Sequence, residues 1–408
     1  MDNPNEKFFT ITNNLFTFDS YACDCVIDIE NIRPGEVKKT IKMQALPENR
    51  IRFAFAPDKG MVRLARNGTV NSDRILTELI SLPEHDTEKL FAFFREYGFL
   101  FNLRTDEYEA IDIEQLFDLI NRIRAVVQLL SELSETKKDY QAILGKVLYL
   151  QLKLPIELPL QCFGERSFRT CEYPLRTEIE KASRIPHIDG TREAFGSDTY
   201  AIPDTIYGPV YALNIETYND IVNGYNTTLA GANQSPQFKD IVRLYRNALT
   251  LDSELRKIID FLFHYQINIG VIKDFHASGE IEYYDTTENI QTNFTAHFDD
   301  HMKQAIIDIA KGTVRDEIEY NLYGVRPCYD ITTMSPAWEI EDLLTGIYFS
   351  IFYMKPGVEL YRKCANPNCD MWFLVKTTSS KRKYCTSYCR NAAAQRAHRK
   401  RQKEQAMG

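Results

Sequence analysis

The sequence predicts an α+β protein with a β-rich N-terminal part, a mainly α-helical central body and a small C-terminal module. Three observations carry this reading. The first eighty residues mix β-branched and aromatic residues in short alternating runs. From residue 81 to 357, apolar residues recur at helical spacing. Near the C-terminus, four cysteines stand in two close pairs ahead of a basic segment. The corresponding divisions are 1–80, 81–357 with a sub-boundary around 153–210, and 358–408.

Along the chain, Phe8 to Phe18, Cys25 to Ile29 and Ile51 to Phe55 read as strands, and Asn67-Gly68 as a hairpin turn. Cys23 and Cys25, one residue apart, are read as strand packing, because that spacing is poor for a zinc pair. Leu90, Phe91, Phe94 and Tyr97 form a helical stripe stopped by Gly98. Ile113, Leu116, Phe117, Ile120, Ile123, Val127 and Leu130 mark a long amphipathic helix. Prolines 155, 159, 174, 186 and 203 make the following stretch irregular. Ser235-Pro236 opens a helix with Phe238, Ile241, Val242 and Tyr245 inward, continuing to His264. Ser335-Pro336 opens a last core helix through Trp338 to Met354, which Lys355-Pro356-Gly357 ends as a hinge.

At 44% hydrophobic and 12% aromatic over 408 residues, the chain is globular and long enough for two or three cores. The longest uncharged apolar run, Leu343 to Met354, has twelve residues, too few to span a bilayer. The first twenty residues hold no apolar signal core. The reading is a soluble, cytosolic protein without a membrane partner.

Cys364-Ala-Asn-Pro-Asn-Cys369 and Cys385-Thr-Ser-Tyr-Cys389 supply four soft ligands for one tetrahedral, structural Zn²⁺, and each short pair reduces the entropy lost on chelation. Disulfides are the alternative, but they need an oxidising compartment, and nine cysteines is an odd number. Asn366-Pro367-Asn368 is turn chemistry for a knuckle. Met371 to Val375 reads as a strand, Thr377 to Ser380 as a turn, and the second pair as one face of a starting helix. Together these make a treble-clef-like zinc module.

The net charge of −8 is unevenly spread. Tyr361 to Gly408 carries twelve Lys/Arg against two Asp/Glu, a net of +10, which leaves −18 for the rest. A basic tip on an acidic body concentrates attraction for a polyanion at one end. From Arg390 onward, alanines with Gln, Arg and Lys continue the helix. Its spacing puts Arg396, Arg399, Lys400 and Lys403 on one face for a partner. Ala393, Ala394 and Ala397 fall on another, near the zinc module, flanked by Arg390 and Arg401.

The stretch Cys364-x4-Cys369, Phe373, Lys383-Tyr384-Cys385-x3-Cys389-x-Asn391 and Gln395 to Arg399 resembles the CGNR-type zinc finger. That resemblance implies zinc ligation by Cys364, Cys369, Cys385 and Cys389. It also implies a place among bacterial proteins regarded as transcription regulators, whose helical N-terminal domain is called ABATE. The family's Cys-Gly-Asn-Arg reads here as Cys389-Arg390-Asn391-Ala392, so Asn391 is kept while the glycine and arginine are replaced.

The functional expectation is a zinc-dependent DNA-binding regulator. Arg390, Asn391, Arg396, Arg399, Lys400, Arg401 and Lys403 would contact nucleic acid, and a homodimer would compensate for one small module. The acidic body would then sense an effector, dimerise or act as a scaffold. A protein-interaction or RNA-binding finger is the alternative, and an enzyme within residues 1–330 a third reading. No catalytic residues are assigned, because no phosphate cradle or nucleophile elbow is present. His297 and His301, at i, i+4, are read as the flanks of one helix whose stripe is Phe298, Met302, Ala305, Ile306 and Ile309.

Overall fold

The computed structural model describes residues 16–33, 36–56, 60–65, 75–160, 167–184, 201–202, 206–208, 210–211, 235–246, 251–331, 334–354, 358–376 and 382–407. The sequence expectations at Phe8, Asn67-Gly68, Lys355-Pro356-Gly357 and Thr377 to Ser380 lie outside them. Helices and strands are mixed throughout, as an α+β protein requires. The chain divides into two compact units, each discontinuous in sequence. One comprises residues 1–135, 155–171 and 316–408, the other 136–154 and 172–315. Among the described residues, no helix is long and apolar enough to cross a membrane.

In the first unit, alternating residues build an antiparallel sheet around one long strand, Glu36–Ala56. Thr17–Arg33 pairs along one edge. Gly60–Leu64 and Glu109–Asp112 pair with successive stretches of the other edge. Ile41, Met43 and Ala45 are buried in alternation, opposite the buried Cys23 and Cys25, so this cysteine pair is core packing. The Leu343–Phe352 helix covers the aromatic part of the sheet. Phe349 meets Phe16 and Phe55 edge-on, with centroids 5.2 and 5.5 Å apart.

Thr87–Tyr97 is a helix capped by Asp86, and its predicted stripe is buried. Gly98 ends it at φ +82°, and a Cβ there would lie 2.6 Å from Ser20 Oγ and from Tyr21 O. Glycine is therefore required by conformation and by space. Asp112 caps the Ile113–Ser134 helix, whose predicted apolar face is buried throughout. Arg122 from that helix forms a fully buried ion pair with Glu317 and donates to Cys171 O at 2.8 Å.

One predicted helix start is wrong. Ser335–Glu339 is a strand paired with Arg326–Asp330, and Pro336 sits opposite Tyr329. Ser-Pro equally suits a ribbon edge, where proline's missing N–H costs nothing, and Trp338 favours the extended state. The helix begins at Leu343, once Asp342 accepts from Thr345 N at 2.8 Å.

The second unit is mainly helical, with a hairpin of Ile272–Phe275 and Ile281–Tyr283. Pro174, counted above as a breaker, instead occupies the first turn of a Pro174–Ser183 helix. Pro236–Arg246 forms as predicted, with Phe238, Ile241, Val242 and Tyr245 buried. It does not run on to His264, which belongs to a separate helix, Ser253–Asn268, capped by Asp252.

Candidate metal centre

Glu359–Lys363 and Trp372–Lys376 form an antiparallel hairpin with Leu360 opposite Val375 and Lys363 opposite Trp372. Leu360, Phe373 and Val375 make a small core that also takes in Cys364 and Cys389, with Tyr384 against it. So few apolar residues cannot hold a fold alone, which is why the module needs a cross-link.

Each cysteine pair is set by local hydrogen bonds. Past the first strand, Cys364 N donates to Met371 O at 3.0 Å. Asn366 then shapes the knuckle: its carbonyl accepts from Cys369 N at 2.9 Å, and its Oδ1 accepts from Asn368 N at 3.3 Å. On the other side, Thr386 Oγ1 accepts from Cys389 N at 3.2 Å, at the start of the Ser387–Met407 helix. Cys385 thus lies just outside the helix and Cys389 within its first turn, so the pair does not share a helix face as predicted.

All four Sγ atoms lie within 4.8 Å of one another, and Cys369–Cys385 and Cys385–Cys389 are each 3.6 Å apart. Four thiolates about 2.3 Å from a tetrahedral zinc stand about 3.8 Å from each other. A disulfide would bring two sulfurs to about 2.05 Å, and these cysteines are free. The donor set and its spacing fit zinc, and the four cysteines form a site for one structural Zn²⁺. Bound zinc would cross-link the knuckle and the helix start; it supplies no chemistry beyond that.

The protonation states before metal binding differ around the cluster. Hydrogen bonds from Asn366 and Thr386 pull Cys389 down to about 6. Burial, with the neighbouring thiols, pushes Cys385 up to about 12, and burial also raises Cys369. Metal loading therefore displaces protons from the raised thiols.

Several supporting residues carried no recognisable pattern in sequence. Arg382 lies 5.1 Å over the Phe373 ring and donates to Cys385 O at 2.6 Å. The hairpin is fastened to the sheet-bearing unit at three points. Tyr361 N donates to Ser131 Oγ at 2.9 Å, and Trp372 N to Ser81 Oγ at 2.8 Å. Arg362 donates to Glu135 Oε1, its Nε at 2.8 Å.

The basic helix presents a different face from the one expected. Cys389, Ala392, Ala393 and Arg396, at i, i+3, i+4 and i+7, are its more buried stripe, while Ala394 and Ala397 are exposed. Arg396 turns back onto the knuckle. Its Nη1 donates to Asn368 Oδ1 at 2.9 Å, its Nη2 to Asn366 Oδ1, and its Nε to Ala392 O at 3.3 Å. Arg390, Asn391 and Arg399 are exposed, and neither arginine has an ion-pair partner among the described residues. Lys400, Arg401 and Lys403 lie in the helix, but their side chains fall outside the described part.

His297 and His301 are not on one helix. His297 ends Thr287–His297, Phe298 caps it, and His301 belongs to the next helix, Asp300–Asn321. His301 Nδ1 lies 3.7 Å from Asp299 Oδ2, and His276 Nε2 3.3 Å from Glu282 Oε1. Among the described residues, the four cysteines are the one grouping with metal-ligand geometry.

Comparison with protein families agrees with this geometry. The CGNR zinc finger family matches residues 361–402, the stretch holding all four cysteines, most of the hairpin and most of the helix. No curated protein and no solved structure matches the chain.

Proposed function

We propose that the protein is a binding protein rather than an enzyme: a zinc-dependent, DNA-binding transcription regulator that reads duplex DNA with its C-terminal helix. The observation that carries this reading is the outward face of that helix. At about 100° per residue, Asn391, Gln395 and His398 point away from the hairpin, with Arg390 on one flank and Arg399 on the other. Polar side chains between two flanking cations suit a groove, where arginines meet phosphates and Asn or Gln can pair with adenine. The +10 tip supplies the sequence-independent attraction, and the −18 remainder confines it there. One module of this size binds weakly, so a homodimer presenting two helices completes the reading.

The test is duplex binding against salt. With about five phosphate contacts, log affinity falls with log salt at a slope near −4.5. Replacing Arg390 and Arg399 by alanine lowers that slope by about two contacts. Replacing Asn391 and Gln395 leaves the slope alone and reduces discrimination among sequences. Binding that ignores salt, or equal binding by all variants, refutes the proposal. Tighter binding to single-stranded RNA than to duplex transfers the helix to the RNA-binding alternative.

A further inference from the structure

The second compact unit holds a cavity of about 320 Å³, lined by four helices and the Ile272–Phe275 strand. Its floor is apolar: Leu148, Ile241, Leu262 and Ile272 line it and are all buried. The space is open at one end and would hold about ten waters. Waters over that floor would lack the two to four polar partners each needs, so an apolar molecule displaces them favourably.

The charges in the wall define the ligand further. Arg176 is ion-paired with Glu180 and donates to Leu152 O at 2.7 Å. Asp240 Oδ1 stands 4.0 Å from Arg243 Nη1, and Arg243 donates to Ala182 O at 2.6 Å. Glu180 is thus closely paired with Arg176, and Asp240 stands at the edge of ion-pair range from Arg243. An added anion would be desolvated with no cation reserved for it, because both arginines of this region already face carboxylates. Ser183 and Gln237, exposed at the rim, offer hydrogen bonds at the open end. The volume is at the small end of ligand pockets, about 300–1,000 Å³.

We propose that this cavity is a binding site for a neutral, apolar small molecule of one or two fused rings with one hydrogen-bonding group. The inference is independent of the DNA-binding reading, because neither the site nor its assay involves the finger. The test titrates the full, zinc-loaded chain with prodan, a neutral naphthalene fluorophore, and with anilinonaphthalene sulfonate, an anionic one. Prodan emission shifts blue and saturates at one probe per chain, while the anion binds at least about tenfold more weakly. Ile241→Trp fills the floor and Gln237→Trp narrows the rim. Each weakens prodan by at least about tenfold at unchanged zinc content, and the Gln237 variant does so at unchanged melting temperature. The Gln237 variant alters an exposed position, so it reports even if the core variant misfolds. Unsaturable or absent prodan binding overturns the proposal. So does wild-type affinity in the Gln237 variant, or anion binding as tight as prodan's.

Discussion

Arg396→Ala tests whether the basic helix and the metal site are one mechanical object. The arginine makes charged hydrogen bonds to Asn366 Oδ1 and to Asn368 Oδ1, and Asn366 is only 4% exposed. A hydrogen bond to a charged group contributes about 1.5–3 kcal/mol, and its loss leaves a buried acceptor short of a donor. Since Arg396 is half-buried, solvent screening discounts the pair to about 3 kcal/mol in total. If that energy is realised only when the knuckle is closed, zinc affinity falls about a hundredfold. Outer-shell partners of metal sites typically change affinity by about 10–100-fold, which agrees. Competition against a chromogenic zinc chelator measures the change directly. Arg396→Lys keeps the charge but loses the planar fork, so it recovers only part of the affinity. Arg399→Ala, exposed and without an ion-pair partner among the described residues, leaves zinc affinity unchanged. Wild-type zinc affinity in Arg396→Ala, or an equal loss in Arg399→Ala, would refute the coupling.

Two further outcomes concern the sheet-bearing unit. Gly98→Ala forces an L-residue to φ +82° with its Cβ 2.6 Å from Ser20 Oγ and Tyr21 O; a loss of about 3 kcal/mol or more in urea unfolding is expected, and an unchanged midpoint would remove the steric argument. Burial raises Asp342 from its ordinary 3.8 to about 6. Its stabilising contribution is therefore complete below about pH 4 and lost as pH rises through about 6. Asp342→Asn keeps an acceptor for Thr345 N without the charge, so it stabilises at neutral pH by up to about 3 kcal/mol, and the gain vanishes near pH 4. A pH-independent difference between variant and wild type would refute that account.

The parts of the molecule legible in sequence are those whose causes are local. The zinc ligands could be read because two short pairs plus turn residues define a knuckle and a helix start within twenty-six residues. The Thr87–Tyr97 and Ile113–Ser134 helices were legible because stripe, cap and stop agree. Where one local motif serves two structures, the reading failed. Pro174 and Pro336 could each open a helix or break a pattern, and only tertiary pairing decides. His297 and His301 have helical spacing, but the turn at Phe298 interrupts the helix between them. Arg396 was read from its charge as an outward residue. Its inward turn depends on Asn366 and Asn368, thirty and twenty-eight residues earlier, which no periodicity reveals. Ser81, Ser131 and Glu135 as docking partners were likewise invisible, since each acts through a distant backbone group or side chain.

That docking bears on the proposed role of the finger in binding DNA. A finger on a flexible hinge would search freely and lose orientational entropy on binding DNA. Here Ser81 and Ser131 take one backbone N–H from each strand of the hairpin, and Glu135 holds Arg362 between them. Arg396 ties the helix to the knuckle at the hairpin's far end. The chain of contacts from the Ile113–Ser134 helix to the outward Asn391 therefore passes through paired strands and a metal cluster, with no free linker among its described steps. Much of the ordering needed to present the helix is completed on folding and zinc loading, which favours affinity through preorganisation. In the proposed homodimer, the angle between the two helices would then be a property of the whole unit, and the half-site spacing would follow from the docking contacts together with the finger.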